Sequence, residues 1–126
     1  MSIGSGWGRT EGSVEPLAAY LPAHVRDDPV VAGVKAAAEA VLGAQCQRLL
    51  LHGARTRPGA DPDTPYEFVA IVAGAFERAA ERQMAIALTP LENTRHVRIA
   101  CALVPAAALE RRTGFVWNLL SEALDI

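Results

Sequence analysis

Residues 49–72 read LLLHGARTRPGADPDTPYEFVAIV, and this stretch decides the fold. Residues 45–51 become steadily more apolar over the length of a strand, and that run stops at Gly53. The loop ARTRPGADPDTP holds three prolines and one glycine, which exclude a regular element there. Residues 66–73 are then rich in β-branched and aromatic side chains, as strands are. The stretch therefore predicts two strands joined by a glycine turn and a loop.

Helical patterns surround these two strands. Before them, Asp28 is placed to cap a helix, Pro29 suits its first position and Gly43 suits its exit. After them, a helix opens at Gly74, and the segment TPLENT is expected to break it. The order helix, strand, strand, helix, strand, helix, helix predicts an α+β fold, an α/β sandwich with a small sheet.

Apolar spacing predicts which faces are buried. The third strand, HVRIACALV, is almost unbroken in its apolar character, so we expect both of its faces to be covered. Pro105 starts a short helix, and Gly114 separates it from a last one. Two helical stripes are expected to pack on the sheet, one after Gly74 and one at the end of the chain: Phe76, Ala79, Ala80, Gln83, Met84 and Ala87; Phe115, Val116, Leu119, Leu120, Ala123 and Leu124.

The chain divides into two parts of unequal length. Residues 1–24 are predicted to form an N-terminal arm with a short helix, capped by Ser13 and ended by Pro22. In that helix Val14, Leu17, Ala18 and Leu21 share one face. Residues 25–126 are predicted to form the main domain.

Composition excludes several classes of protein. With 51% hydrophobic and 21% charged residues, the 126-residue chain is not of the disordered type. A net charge of −2 argues against a broad nucleic-acid surface. No membrane-spanning run and no secretory signal pattern is seen, so a cytoplasmic location is expected. Cys46 and Cys101 lack metal-ligand or redox spacing and are expected to be buried free thiols.

Arg55 and Arg57 follow the glycine turn. Guanidinium groups at such a turn suit forked contacts with phosphate oxygens, and Gly53 lets the backbone approach a bulky anion. The plainer interpretation is a solvated loop, and both stay open. Chemistry on a nucleotide further requires carboxylates that hold Mg²⁺ against the phosphates.

At this point the chain resembles a known family, the minimal nucleotidyltransferases of the polymerase beta superfamily. Their signature is an apolar strand, Phe-Gly-Ser-Arg-Ala-Arg-Gly, a short loop, Ser-Asp-x-Asp and a second apolar strand. Gly53, Arg55, Arg57 and Gly59 match it, as do Pro62 and Asp63, and the resemblance covers residues 29–126. It implies a small mixed sheet with flanking helices. It also implies a nucleotide- or phosphate-binding turn made of Gly53, Ala54, Arg55 and Arg57, with ATP or another nucleotide as the ligand.

The departures from the signature concern its catalytic groups. His52 stands for the Phe and Ala54 for the Ser. The three metal-binding acidic positions fall on Pro65, on Glu67 and near Arg98 or Ile99. The resemblance therefore implies Glu67 as the remaining catalytic carboxylate.

Few groups are left to complete a metal site. Asp61 or Asp63 is the substitute ligand that would join Glu67 on Mg²⁺ if the protein is active. The alternative for these aspartates is a solvated turn. For His52 the alternatives are a proton acceptor and a hydrogen-bonded residue at the edge of the core.

Three functions follow from these alternatives. The first is a pseudoenzyme that serves as an interaction module. The resemblance implies a helical partner of the toxin–antitoxin kind, and the C-terminal helix with Trp117 is a candidate surface for such a partner or for a homodimer. The second is an active Mg²⁺-dependent enzyme that moves a nucleoside monophosphate from ATP to an acceptor. The third is a module that binds a nucleotide without turnover.

Overall fold

The computed structural model describes residues 21–75 and 78–126, and these residues form an α+β sandwich. Within the two described ranges, four helices and four strands follow one another along the chain. They are α1 (Ala23–Arg26), α2 (Pro29–Leu42), β1 (Cys46–His52), β2 (Tyr66–Val72), α3 (Arg78–Arg95), β3 (Ile99–Pro105), α4 (Gly114–Glu122) and β4 (Leu124–Asp125).

The strands form one mixed sheet in the order β3-β2-β1-β4. β1 pairs antiparallel with β2 through the predicted glycine turn and loop. β3 pairs parallel with β2, and α3 makes the crossover between them. β4 adds a two-residue antiparallel strand to the other edge of β1. The predicted fold class is confirmed, and the first three strands lie within one residue of their predicted bounds, except that β3 begins at Ile99 and not at His96.

Alternation along the strands separates the two faces of the sheet. Leu51, Phe68 and Ala70 point to one face and pack with apolar residues of α1, α2 and α3 in the larger core cluster. Leu50, Val69 and Ile71 point to the other face, where they pack with Leu119 of α4. The sheet is therefore the middle layer, with three helices on one side and one on the other.

The start of α2 agrees with the sequence. Asp28 caps it with a carboxylate oxygen that accepts a 2.8 Å hydrogen bond from the backbone N–H of Val30, and Pro29 is its first residue. Gly43 follows the last turn with a φ of +55°, a conformation that favours glycine.

Two predicted boundaries are wrong. α3 continues through TPLENT to Arg95, with Pro90 inside it. The chain also ends in a short strand, β4, where a continuing helix was expected. Leu124 belongs to that strand and not to the α4 stripe. Pro105 closes β3, and residues 106–110 form a 3-10 helix.

Two expected burials are also wrong. Phe115 and Leu120 were assigned to the buried stripe of α4, but 49% and 41% of their surfaces are exposed. Ala100 and Ala102 of β3 are exposed too, so one face of that strand is open. The cause is the short contact of α4, which packs on this face of the sheet through Leu119.

The N-terminal predictions are covered only in part. Residues 13–20 of the predicted first helix and Phe76 of the α3 stripe lie outside the described residues. Pro22 precedes α1 as its N-cap residue. Val25 of α1 is buried in the larger core cluster. The domain boundary after residue 24 stays a prediction, and its position falls within α1.

Candidate site at the glycine turn

The candidate site begins where β1 ends. Gly53 has φ +82° and ψ −158°, a backbone conformation open almost only to glycine. Residues 54–56 then form one 3-10 turn, closed by hydrogen bonds from the N–H of Thr56 to the carbonyl of Gly53 and from the N–H of Arg57 to the carbonyl of Ala54, each 3.1 Å long. The turn therefore projects from the end of the strand, as the sequence pattern predicts.

Glu67 lies beside this turn. A Cβ atom placed on Gly53 would be 2.9 Å from the Glu67 carboxylate oxygen Oε2, so this exposed side chain would have to move aside, and the φ angle is the main requirement for glycine. Glu67 also pairs directly across from His52 in the β1–β2 ladder. The structure thus brings together the predicted residues His52, Gly53, Ala54 and Glu67.

Arg55 does not point freely into solvent. Its Nε donates a 2.9 Å hydrogen bond to the carbonyl of Thr64, and its Nη2 donates a 3.1 Å bond to the carbonyl of Pro62. The centre of its guanidinium lies 4.2 Å from the centroid of the Tyr66 ring, in cation–π geometry. Arg55 therefore holds the loop before β2 against the turn.

Tyr66 extends this contact to the helix layer. Its hydroxyl donates a 2.5 Å hydrogen bond to the second carboxylate oxygen of Asp28, the residue that caps α2. Burial, and then the bond to Asp28, raises the pKa of the Tyr66 hydroxyl to about 12. The hydrogen bond between Tyr66 and Asp28 was not predicted from the sequence. The one available signal was a tyrosine directly after the proline-rich loop.

Arg57 differs from Arg55 in its surroundings. Its side chain is exposed, and the described residues offer it no hydrogen-bond or ion-pair partner. It directly follows the 3-10 turn that begins after Gly53. Of the two arginines predicted to bind phosphate, Arg57 is the one with the greater freedom to do so.

The substitute aspartates lie in the loop before β2. Asp61 accepts a 2.9 Å hydrogen bond from the Thr64 N–H through its own backbone carbonyl, as in a turn. Asp63 is exposed and lines an open cleft of about 680 Å³ with Glu92, His96 and Arg98. Among residues 21–75 and 78–126, no group of three or more His, Cys, Asp or Glu side chains is arranged to hold a metal ion.

The sheet register distinguishes Arg98 from Ile99, the two residues near the third acidic position of the nucleotidyltransferase signature. In the β2–β3 ladder Glu67 lies opposite Ala100, and alternation puts Arg98 on that same face. Ile99 is buried on the opposite face, in the larger core cluster. Pro65, Glu67 and Arg98 therefore share one face at the start of the parallel strands, and Ile99 is not a candidate.

The two cysteines are free thiols, as expected, and each is half-buried. Burial raises the pKa of the Cys101 thiol to about 12 and also raises the pKa of the Cys46 thiol. Raised thiol pKa values leave less thiolate at neutral pH, which lowers the reactivity of both thiols as nucleophiles.

Comparison with known proteins adds no family to this description. No protein-family model matches the chain, and no curated protein matches it either. In the described part of the chain, none of the helices combines the length and the apolar character that a bilayer crossing demands.

Proposed function

We propose that this chain is a nucleotidyltransferase-like protein that has lost metal-dependent transfer and acts as a protein-interaction module. The observation that carries the proposal is the state of Arg55. This residue matches a phosphate-binding position of the family signature, yet its guanidinium is bonded to two carbonyls of its own loop and stacked on Tyr66. An arginine held in this way has a structural role in the loop.

The carboxylates at the turn support the same conclusion. Phosphoryl and nucleotidyl transfer depend on positioning and on charge neutralisation by Mg²⁺, which is usually held by more than one carboxylate together with phosphate oxygens. Glu67 is the carboxylate placed against Gly53, while Pro65 and Arg98 occupy the other two positions of the signature on the same face. Arg98 carries a positive charge where that signature has a cation ligand.

Two exposed apolar side chains on α4 support a protein partner. Trp117 and Leu120 are 60% and 41% exposed, and residues three apart in a helix lie on the same side. Large aromatic side chains of this kind are enriched at the centres of protein interfaces. We assign this pair, the α4 surface, to a helical partner that lays an apolar stripe against it.

The interaction is tested by affinity capture from the source cell with matched variants. Partner binding should be retained by the wild-type protein and lost in the double variant Trp117→Ser, Leu120→Ser. Ile86→Ser is the control, because Ile86 is 68% exposed on α3 and its loss removes exposed apolar surface elsewhere. A partner that the double variant still binds would place the interface away from α4.

The second candidate function is nucleotide binding at the glycine turn, favoured by the exposed Arg57 beside Gly53. Calorimetric titration with ATP, with and without Mg²⁺, separates the candidates. The first function expects no heat of binding in either titration. Binding without Mg²⁺ that Arg57→Ala removes would support a nucleotide-binding module, and binding that requires Mg²⁺ together with nucleotidyl transfer would support an active enzyme.

A further inference from the structure

The outer edge of β3 forms one border of the sheet and carries backbone groups without a strand partner among the described residues. The hydrogen bond from the Tyr66 N–H to the carbonyl of Arg98 fixes the alternation along this strand. In a parallel ladder of this register, Arg98, Ala100 and Ala102 direct their backbone groups toward β2. Cys101 and Leu103 therefore direct their N–H and carbonyl groups outward.

Both ends of this outer edge are closed. At one end the Ile99 N–H, which also points outward, donates a 2.8 Å hydrogen bond to the Glu92 carboxylate of α3. At the other end Pro105 has no N–H to donate. Between these ends the edge offers two free donors, the N–H groups of Cys101 and Leu103, and the two carbonyls of the same residues; the carbonyl of Ile99 also points outward.

The side chains along this open part suit a close approach. None of the seven residues of β3, which read IACALVP, is charged, although charged side chains are a common protection of exposed strand edges. Ala102 is exposed and small, while Leu103 is buried in the core. A second strand would therefore meet a methyl group and no bulky or charged side chain.

We propose that a second copy of this chain pairs with the open edge, antiparallel and about a two-fold axis at Ala102. In this register Cys101 lies opposite Leu103 of the second copy, and each such pair exchanges two N–H to carbonyl hydrogen bonds. The two-fold axis generates the pair twice, so all four outward donors of the two copies are satisfied. The two four-stranded sheets become one continuous sheet of eight strands.

The closed ends select this register over its neighbours. A two-fold axis at Leu103 would set the Cys101 carbonyl opposite Pro105, which has no donor for it. An axis at Cys101 would set the Leu103 carbonyl opposite the Ile99 N–H, which Glu92 already occupies. Only the axis at Ala102 pairs both backbone groups of Cys101 and both of Leu103, and it leaves the outward carbonyl of Ile99, at the end of the edge, without a donor.

Engineered cysteines test the register. At the Ala102 pair, which exchanges no hydrogen bonds, the Cα atoms are about 4.5 Å apart, within the range of a disulfide. Ala102→Cys should therefore give a disulfide-linked dimer under mild oxidation. Ala100→Cys is the matched control, because its two copies would be separated by roughly 14 Å along the strands and cannot bridge. The wild-type protein, with Cys46 and Cys101, measures the background.

Sedimentation equilibrium tests the dimer itself. The mass should rise from 13.4 kDa toward twice that value with increasing concentration. Ala102→Glu should hold the protein at the monomer mass, since two like charges would face each other. Gln47→Glu, an exposed change on β1 with the same charge, should leave the dimer intact.

The inference would be overturned by a wild-type protein that stays at 13.4 kDa, or by a dimer that Ala102→Glu leaves unchanged. Equal disulfide yields from Ala102→Cys and Ala100→Cys would also overturn the register. If Ala102→Glu does not fold, the two cysteine variants still decide. The α4 variant Trp117→Ser, Leu120→Ser should not affect this dimer, which separates it from the proposed partner surface.

Discussion

At the residue scale, Arg55 shows how one side chain can connect three parts of a fold. Its two hydrogen bonds join it to Pro62 and Thr64 at the far end of the loop, and its stacking on Tyr66 joins it to the sheet. Tyr66 in turn contacts the cap of α2 through Asp28. The glycine turn is therefore fixed to the body of the protein by a chain of polar contacts.

Arg55→Ala should lower the free energy of unfolding by about 1–3 kcal/mol, since two charge-assisted hydrogen bonds and a cation–π contact are lost. Arg57→Ala is the matched control and should change it by no more than about 0.5 kcal/mol. Urea denaturation of the three proteins measures both values. Equal effects of the two variants would contradict the structural role given to Arg55.

Gly53→Ala should cost about 1–3 kcal/mol of stability from backbone strain alone. It should cost more than Gly59→Ala, because Gly59 has a φ of +80° but nothing within 4 Å of an added Cβ. The excess should shrink in a Glu67→Ala background, where the carboxylate at 2.9 Å is gone. A double-variant cycle by urea denaturation measures this, and an excess unaffected by Glu67→Ala would exclude the contact as its cause.

The glycine turn could be predicted from the sequence, but the contacts of Arg55 could not. A glycine between an apolar run and a proline-rich loop is a local signal, and local signals are visible in a sequence. The partners of Arg55 are the backbone carbonyls of Pro62 and Thr64, which any residue would supply. The positions of these carbonyls depend on the conformation of the loop, which cannot be predicted from its residue types.

At the element scale, α3 and α4 explain most of the wrong predictions. Pro90 removes one backbone hydrogen bond from α3, and the carbonyl left without it belongs to the exposed Ile86, where water can replace the donor. In α4 the apolar residues outnumber those that the short contact with the sheet can bury. Periodicity finds an apolar stripe, but the area of the facing surface decides how much of it is covered.

Leu119→Ala should lower the free energy of unfolding by about 2–5 kcal/mol, because Leu119 is buried between α4 and the sheet. Trp117→Ser should change it by no more than about 0.5 kcal/mol, as expected for an exposed side chain. Thermal or urea denaturation compares the two. A large loss of stability in Trp117→Ser would mean that the α4 surface is part of the folded core.

At the scale of the whole molecule, the Tyr66 hydroxyl and the Cys101 thiol make the free energy of unfolding depend on pH in the alkaline range. The pKa values of Tyr66 and Cys101 are both raised to about 12, chiefly by burial, from usual values of 10.0 and 9.0. The unfolded chain therefore releases these protons at a lower pH than the folded protein does. Their contribution to stability is fully present below pH 9 and is lost as the pH rises toward 12.

The free energy of unfolding of the wild-type protein should fall steadily between pH 9 and pH 12. Tyr66→Phe should reduce that slope above pH 10, although it also removes the hydrogen bond to Asp28 and so lowers stability at neutral pH. Cys101→Ala should reduce the slope from pH 9 upward. Urea denaturation at a series of pH values gives the slopes, and a slope that neither variant reduces would contradict the role of these two groups.

The short strand β4 has a consequence for synthesis on the ribosome. β1 and β2 are close in sequence and can pair early, but among residues 21–75 and 78–126 the strand that covers the second edge of β1 is Leu124–Asp125. The ion pair between Arg48 and Asp125 joins residues 77 positions apart, and the N–H of Ile126 bonds to the carbonyl of Leu49. A nascent chain therefore presents an uncovered strand edge until residues 124–126 emerge, and this interval is when it is most exposed to pairing with a neighbouring chain.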